Sequence, residues 1–347
     1  MKKMNVETSK LLVITGSYPP EKCGAGDYLC NLFQTQEAKN WTLLYIKDWR
    51  LRNIFKIIKQ INNFSEKNIN VQFPTMGYSK SITIELLCLF YGLTKKKNLS
   101  ITTHEHSELD WKRRLISNII YPFASKLIFT TEFERNSVAK KFPNILKRSK
   151  IIKIYSNIKQ ADFLPQIADR QYDIGYFGFI KNGKGIEEFL EVSRKIKSQK
   201  ECKIYIMGQI QPEYKNYAAQ IIEQAKNFQI DCKINQNEQK VAETLANTKI
   251  AFLPFPDGIS ERRGSFLAVV QNRCVVVSTQ GKQTTEALKK CSVLVDKKSA
   301  FEKILQLFEN DELMVEYQQK ISEYKANEMP KSWSEIARVY NEFLLKK

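Results

Sequence analysis

The sequence predicts an α/β chain with two doubly wound, Rossmann-like domains facing a cleft. Three observations carry that prediction. Short apolar runs of strand length alternate with amphipathic helical stretches along nearly all of the 347 residues. The alternation lapses once, between about Lys159 and Arg170, and then restarts, which places a domain boundary there. Finally, KIAFLPFPDGISERRGSFLAVVQNRCVVVSTQG, from Lys249 to Gly281, reads as strand, loop, helix and strand in direct succession. That succession is the building unit of a parallel sheet. The length is too great for a single core and suits two domains, 1–160 and 161–330.

In the first half, Leu11 to Thr15 is a buried strand and Gly16 to Gly26 (GSYPPEKCGAG) a loop, with a helix starting at Asp27. Gly24 and Gly26 allow backbone to approach a ligand closely. The spacing is not G-x-G-x-x-G, so a dinucleotide fingerprint fits poorly. Strands follow at Trp41 to Ile46, Ile69 to Phe73, Leu99 to Thr103, Leu127 to Thr130 and Ile151 to Tyr155. Helices are expected at 48–63, Ser81 to Tyr91 and Glu132 to Lys141. The Leu99 strand runs into His104, Glu105 and His106, which include both histidines of the chain. Two histidines at alternate positions with no third ligand nearby argue against a metal, so His104 is read as a strand-end residue facing the cleft.

In the second half, Ile174 to Phe177 is a strand, followed by the glycine-rich basic loop from Gly178 to Gly185 and a helix from Ile186. A strand, a loop of this kind and a helix start suit a phosphate, although the Walker spacing is not met. Strands at Lys203 to Met207 and Ile230 to Ile234 alternate with helices at Glu213 to Asn227 and Glu238 to Thr248. Ile250 to Leu253 and Cys274 to Val277 are strands flanking a helix at Gly264 to Asn272. Between them, Arg262, Arg263, Gly264 and Ser265 stand where that helix begins. Helix-start N–H groups and guanidinium forks suit a diphosphate, and Glu261 could accept bonds from sugar hydroxyls. The same loop reads equally well as a solvated turn with an ordinary helix cap. Val293 to Val295 is a last strand, and a helix closes the chain at Ser332 to Leu344.

Composition narrows the function classes. A hydrophobic content of 43% fits a folded soluble protein, and no apolar run approaches the length of a membrane span. The start, MKKMNVETSK, does not read as a signal peptide. Seven scattered cysteines without a C-x-x-C pair suit a reducing, cytoplasmic compartment. The net charge of +18 asks for an anionic partner. No RNP signature, zinc-finger spacing or basic zipper is present, so nucleic acid is set aside. Two basic stretches with apolar and aromatic residues interleaved, 48–63 (DWRLRNIFKIIKQINN) and 111–126 (WKRRLISNIIYPFASK), suit an anionic membrane face. Surface helices packed on their own sheet would show the same pattern.

Taken together, GSYPPEKCGAGDYL, VQFPTMGYS, THEHSELDWKRR, GYFGFIKNGKGIEEFL, LPFPDGISERRGSFLAVVQNRCVVVST and SWSEIARVYNEFL resemble, in order and spacing, a bacterial glycosyltransferase of GT-B architecture. The likeness is to the large retaining family 4, in members that build surface polysaccharides such as capsule or lipopolysaccharide. It implies transfer of a sugar from a nucleotide-sugar to a lipid-linked or surface-glycan acceptor with the anomeric configuration retained. No metal or other cofactor is expected. The donor would sit on the second domain and the acceptor on the first, with a closing helix at 331–347 packing back on the first. In this reading the catalytic set is His104 near the transferred sugar, Lys184 on the departing diphosphate and Glu261. Gly24, Gly26, Arg262, Arg263, Gly264 and Ser265 complete the donor contacts, and Asp27 and Glu105 lie on the acceptor side. The implied place is the cytoplasmic face of the inner membrane, peripherally bound.

Two departures from the family pattern stand out. Phe179 occupies a place where an arginine is common, so Arg262 or Arg263 is expected to supply the cation. Glu261 stands for the first carboxylate of the family's E-x7-E pair, but Ala268 or Val269 takes the second place. That loss keeps open a second reading, a catalytically inactive binding protein of the same fold; a third is a different two-domain α/β enzyme such as a nucleotide-sugar epimerase.

Overall fold

A computed structural model describes residues 10–21 and 23–346. The opening MKKMNVETS stretch lies outside the described residues. The chain divides into two compact units, Met1–Tyr155 with Pro330–Lys347, and Ser156–Met329. Each unit is built on a six-stranded, all-parallel sheet flanked by helices.

In the first unit the elements run β1 (Leu11–Thr15), α1 (Gly24–Phe33), β2 (Trp41–Tyr45), α2 (Ile54–Asn62), β3 (Asn68–Phe73) and α3 (Thr83–Thr94). They continue through β4 (Asn98–Thr103), α4 (Trp111–Ser117), β5 (Lys126–Phe129), α5 (Glu132–Ala139) and β6 (Ser149–Ile151). The strand order is β2-β1-β3-β4-β5-β6. β1 shows why a parallel sheet forms here. Leu12 and Ile14 enter one core with Ile57, Ile61, Ile84 and Leu87. Leu11 and Val13 enter another with Tyr28, Leu29 and Leu32 of α1. Both faces are covered, so the strand must be apolar at every position.

The second unit runs β7 (Tyr172–Phe177), α6 (Ile186–Lys197), β8 (Ile204–Gly208), α7 (Lys215–Asn227), β9 (Asp231–Ile234), α8 (Glu238–Ala246) and β10 (Thr248–Leu253). Then come α9 (Gly264–Gln271), β11 (Val275–Thr279), α10 (Glu286–Cys291), β12 (Ser292–Val295), α11 (Ala300–Glu309) and α12 (Asp311–Glu328). Its strand order is β12-β11-β10-β7-β8-β9.

The last helix, α13 (Trp333–Leu345), lies in the first unit. Ile336, Ala337, Tyr340 and Leu344 are buried there with α1, and each large side chain so covered contributes about 1.5–3 kcal/mol. Lys126 caps the helix end, its Nζ donating to the carbonyls of Phe343 (2.8 Å) and Lys346 (2.9 Å).

The doubly wound α/β prediction holds. Several local expectations do not. α1 begins at Gly24 rather than Asp27, because extended Cys23 is its N-cap and the Asp27 amide already bonds the Cys23 carbonyl at 2.9 Å. Gly24 and Gly26 therefore belong to a helix start and not to a loop. The strand expected at Ile151 to Tyr155 is instead Ser149–Ile151, since only these three residues pair with β5. The basic stretches are shorter helices than their periodicity suggests. The first is a 3-10 turn followed by α2, and the second is α4 followed by a 3-10 segment, Asn118–Phe123, that contains Pro122.

Candidate functional site

In a doubly wound sheet, ligands gather at the carboxyl ends of the strands where the winding reverses. In the second unit the chain winds outward from β7 through β8 and β9, then resumes at β10 on the other side. The reversal lies between β7 and β10. The Gly178–Gly185 loop and the 254–263 loop leave those two strand ends.

The two loops meet backbone to backbone. Gly185 has φ +75°, and a Cβ there would overlap the Pro254 carbonyl, so only glycine allows the approach. Tyr176, near the end of β7, donates its hydroxyl to the Lys184 carbonyl at 3.3 Å and fixes the loop from below. Burial drives the Tyr176 phenol well above its usual range, while the Arg263 charge pulls it the other way.

Arg263 braces its own loop as well. Its guanidinium lies 4.4 Å from the Phe255 ring centre, its Nε donates to the Gly258 carbonyl (3.2 Å), and it pairs with Asp257. Arg262 donates from Nε to Gln283 Oε1 at 3.2 Å. The segment after β11 holds the loop in turn: the Ile259 amide bonds the Thr279 carbonyl (2.9 Å), and Thr284 Oγ1 donates to the Ile259 carbonyl (2.9 Å).

Two helices start at this reversal, and they differ. α6 carries Glu187 and Glu188 in its first turn, so its dipole is already served by its own carboxylates. α9 begins at Gly264 and Ser265, with no acidic residue in its first turn and no side-chain cap. Its leading N–H groups have no intrahelical acceptor. Just before it, Ser260 is buried and its Oγ has no hydrogen-bond partner. Glu261 is also buried, at 8% exposure; burial raises the Cys291 thiol and the Tyr324 phenol of α12, and the Glu261 charge adds to both. Ala268 and Val269, where the family pattern asks for a second carboxylate, are wholly buried in the apolar core.

The first unit reverses between β1 and β3. Here too backbones cross, since a Cβ on Gly77 would overlap the Gly16 carbonyl. Ser17 Oγ accepts from the Gly77 amide at 2.8 Å. A Cβ on Gly26 would make a tight contact, 3.2 Å from the Ser17 carbonyl, whereas Gly24 faces open space. Next to this reversal, at the end of β4, His104 is 6% exposed. Its ring Nε2 lies 2.9 Å from Gln72 Oε1, and its ring meets that of Tyr28 edge-on at 5.1 Å. Asp27 is half-buried in the first turn of α1, and Glu105 is exposed. His106 is different: 2% exposed against Tyr121, its pKa pushed down to about 4, by burial first and then by the charges of Arg114 and Lys141.

The sequence-predicted residues thus fall into two groups, each at a winding reversal. Lys184, Glu261, Arg262, Arg263, Gly264 and Ser265 belong to the second unit, and Gly24, Gly26, Asp27, His104 and Glu105 to the first. Sequence reasoning missed Ser17, Tyr176, Ser260 and the polar residues behind His104. The last had a visible signal. Asn70 and Gln72 alternate within the strand NINVQF, so both point to one face of a sheet that should be apolar on both. Among the described residues no group of three or more His, Cys, Asp or Glu could hold a metal ion.

No protein-family model matches the chain, and no curated protein matches it. Solved structures do share its fold. Anabaena Alr3699/HepE, crystallised in complex with UDP and glucose, superposes with a TM-score of 0.71 at 11% identity, covering 97% of this chain and 99% of that one. A glycosyltransferase from Rickettsia africae gives 0.67 at 11% identity, covering 98% and 100%. A mutant form of S. aureus TarM, in complex with fondaparinux, α-GlcNAc-glycerol and UDP, gives 0.59 at 18% identity, covering 84% and 58%. The fold is that of the GT-B glycosyltransferases, with two Rossmann-like domains.

Proposed function

We propose that this chain is a retaining, metal-independent glycosyltransferase that moves a sugar from a nucleotide-sugar to a lipid-linked or surface-glycan acceptor. The observation that carries the reading is the β7/β10 reversal. One helix start there has no carboxylate of its own, and Lys184, Arg262 and Arg263 stand on the two loops beside it. Such a place suits a diphosphate. Breaking the anomeric bond puts negative charge on the leaving diphosphate, and fixed cations and helix N–H groups stabilise that charge as it grows. The GT-B fold, shared with proteins crystallised with UDP, supports the same assignment.

In this reading Lys184 holds the leaving group, Arg262 and Arg263 supply the cation absent at Phe179, and Ser260 and Glu261 face donor hydroxyls. His104 lies near the transferred sugar, and Asp27 and Glu105 face the acceptor. The work is done at the cytoplasmic face of the inner membrane. Exposed Leu51 and Phe55, before and in α2, and Trp111, Leu115, Ile116 and Ile119 around α4, are the docking side chains. Among the described residues no helix is long and apolar enough to cross a membrane, so attachment would be peripheral.

The buried Ala268 and Val269 favour a second reading, a protein of this fold that binds nucleotide without turnover. A thermal-shift screen against UDP-, GDP-, ADP- and CMP-sugars, followed by turnover with the one that binds, separates the two. A ligand at about 100 times its Kd raises stability by about 2.7 kcal/mol. A shift with transfer supports the enzyme, a shift without hydrolysis or transfer supports the binding protein, and no shift with any of them removes both. Interconversion of the sugar without an acceptor identifies an epimerase instead.

A further inference from the structure

Behind His104 a chain of hydrogen bonds crosses the first unit's sheet, and the direction of each bond can be worked out from one fixed point. Ser100 Oγ donates to the Ile69 carbonyl at 2.9 Å. A carbonyl only accepts, so the one Ser100 proton is used there. The 3.1 Å contact between Ser100 Oγ and Asn70 must then be a bond from the Asn70 amide nitrogen. This turns Asn70 Oδ1 towards Gln72 (2.5 Å) and Thr102 (3.2 Å), and both must donate to it. With its amide nitrogen committed to Asn70, Gln72 presents Oε1 to His104, 2.9 Å away.

The other branch runs the same way. The Thr102 proton goes to Asn70, so Tyr340 of α13 donates to Thr102 Oγ1 (3.1 Å) and Tyr28 donates to Tyr340 (3.0 Å). The Tyr28 ring then returns to His104, edge-on at 5.1 Å. Both ends of the chain therefore touch the same imidazole, and Asn70, Gln72 and Thr102 are fully buried.

We infer that Gln72 is a positioning residue that fixes the His104 proton on Nε2, with the direction set remotely by Ser100 and the Ile69 carbonyl. In its neutral form the ring then carries its lone pair on Nδ1 and acts as a hydrogen-bond acceptor there. The opposite tautomer would require Gln72 to turn over, setting its oxygen against Asn70 Oδ1 with no proton between them. A buried contact of that kind forfeits a hydrogen bond and sets two acceptor oxygens against each other. The tautomer follows from geometry alone. Its use rests on the proposed function, in which a hydroxyl of the sugar or acceptor donates to Nδ1.

The test is 15N-detected NMR of the imidazoles in the full chain, with His106→Gln assigning the two histidines. The expected wild-type result is a single neutral tautomer for His104 with the proton on Nε2. Gln72→Met and, two links away and without touching the ring, Ser100→Ala should each give a mixed tautomer population, while Ser100→Thr should restore the single form. With the nucleotide-sugar found by the screen, Gln72→Met should lower turnover by about ten- to a hundredfold, the cost of a misplaced group at a reacting centre. A wild-type proton on Nδ1, or a tautomer unmoved in a folded Gln72→Met and in Ser100→Ala, overturns the inference whatever the activity. Unchanged turnover in a variant whose tautomer has shifted overturns the positioning role. If the tautomer behaves as stated but no nucleotide-sugar is used, the functional reading fails and the network assignment stands.

Discussion

The two winding reversals of this molecule are built alike and equipped differently. At β1/β3 two glycines let backbones cross, and the side chains nearby are hydrogen-bonding groups, Ser17, Gln72, Tyr28 and His104, with the carboxylates of Asp27 and Glu105. At β7/β10 a glycine again lets backbones meet, but the loops carry Lys184, Arg262 and Arg263, and α9 starts without an acidic residue. Topology makes the same concavity twice, and side-chain charge decides what each can hold. Directed hydrogen bonds suit hydroxyl groups, whereas fixed cations and a bare helix start suit a diphosphate.

Removing the charge should separate the two most strongly. Lys184→Ala should lower turnover by about 10² or more if its contact strengthens as the diphosphate departs. Steady-state kinetics checks this, and an unaltered kcat would remove Lys184 from the reaction. The paired glycines come next. Gly77→Ala should cost about 1–3 kcal/mol of stability, because its Cβ meets a fixed backbone, with little change in nucleotide affinity per folded molecule. Gly185→Ala should combine a comparable loss with weaker nucleotide binding, since it displaces the loop carrying Lys184. Urea titration with calorimetry on both variants reads the contrast, and equal effects on nucleotide affinity would erase it.

Acid should distinguish the units through His106. Its folded pKa is about 4 against an ordinary value of 6.5. The unfolded chain therefore takes up this proton first, and the stability gained by keeping the ring neutral is present above pH 6.5 and lost as pH falls towards 4. The size is on the order of 3 kcal/mol. His106→Gln should flatten that limb of the stability profile, and an unchanged limb would place the acid sensitivity elsewhere. The smallest effect concerns the surface. Trp111→Ala with Leu115→Ala should weaken binding to anionic vesicles several-fold, on a background that itself falls with added salt. Salt-independent binding, or none, would detach the chain from the membrane.

Much of this was legible from residue order. Strand runs such as LLVIT and VVVST are largely apolar because both sheet faces are covered, and that alone indicates parallel sheets. The loop with Arg262 and Arg263 was legible because a strand, two cations, a glycine and an apolar helix follow one another without interruption. The start of α1 was not, since Gly24-Ala25-Gly26 has poor helix propensity and only the extended Cys23 and the nearby Ser17 carbonyl explain it. The bracing of Arg263 by Asp257 and Phe255 was hidden because it depends on how the loop folds back, which spacing does not encode. The His104 network was only half visible: Asn70 and Gln72 announce a polar strip, but Tyr340 reaches it from the far end of the chain.

The central claim is that the β7/β10 reversal binds a nucleoside diphosphate through its cations and the α9 start. Isothermal titration of UDP, GDP and ADP into the wild type, Lys184→Ala and a folded Arg262→Ala tests it most directly. The account predicts binding of at least one nucleotide to the wild type and at least tenfold weaker binding in both variants, about 1.4 kcal/mol each. Wild-type affinity retained in both variants, or no diphosphate bound at all, would contradict it.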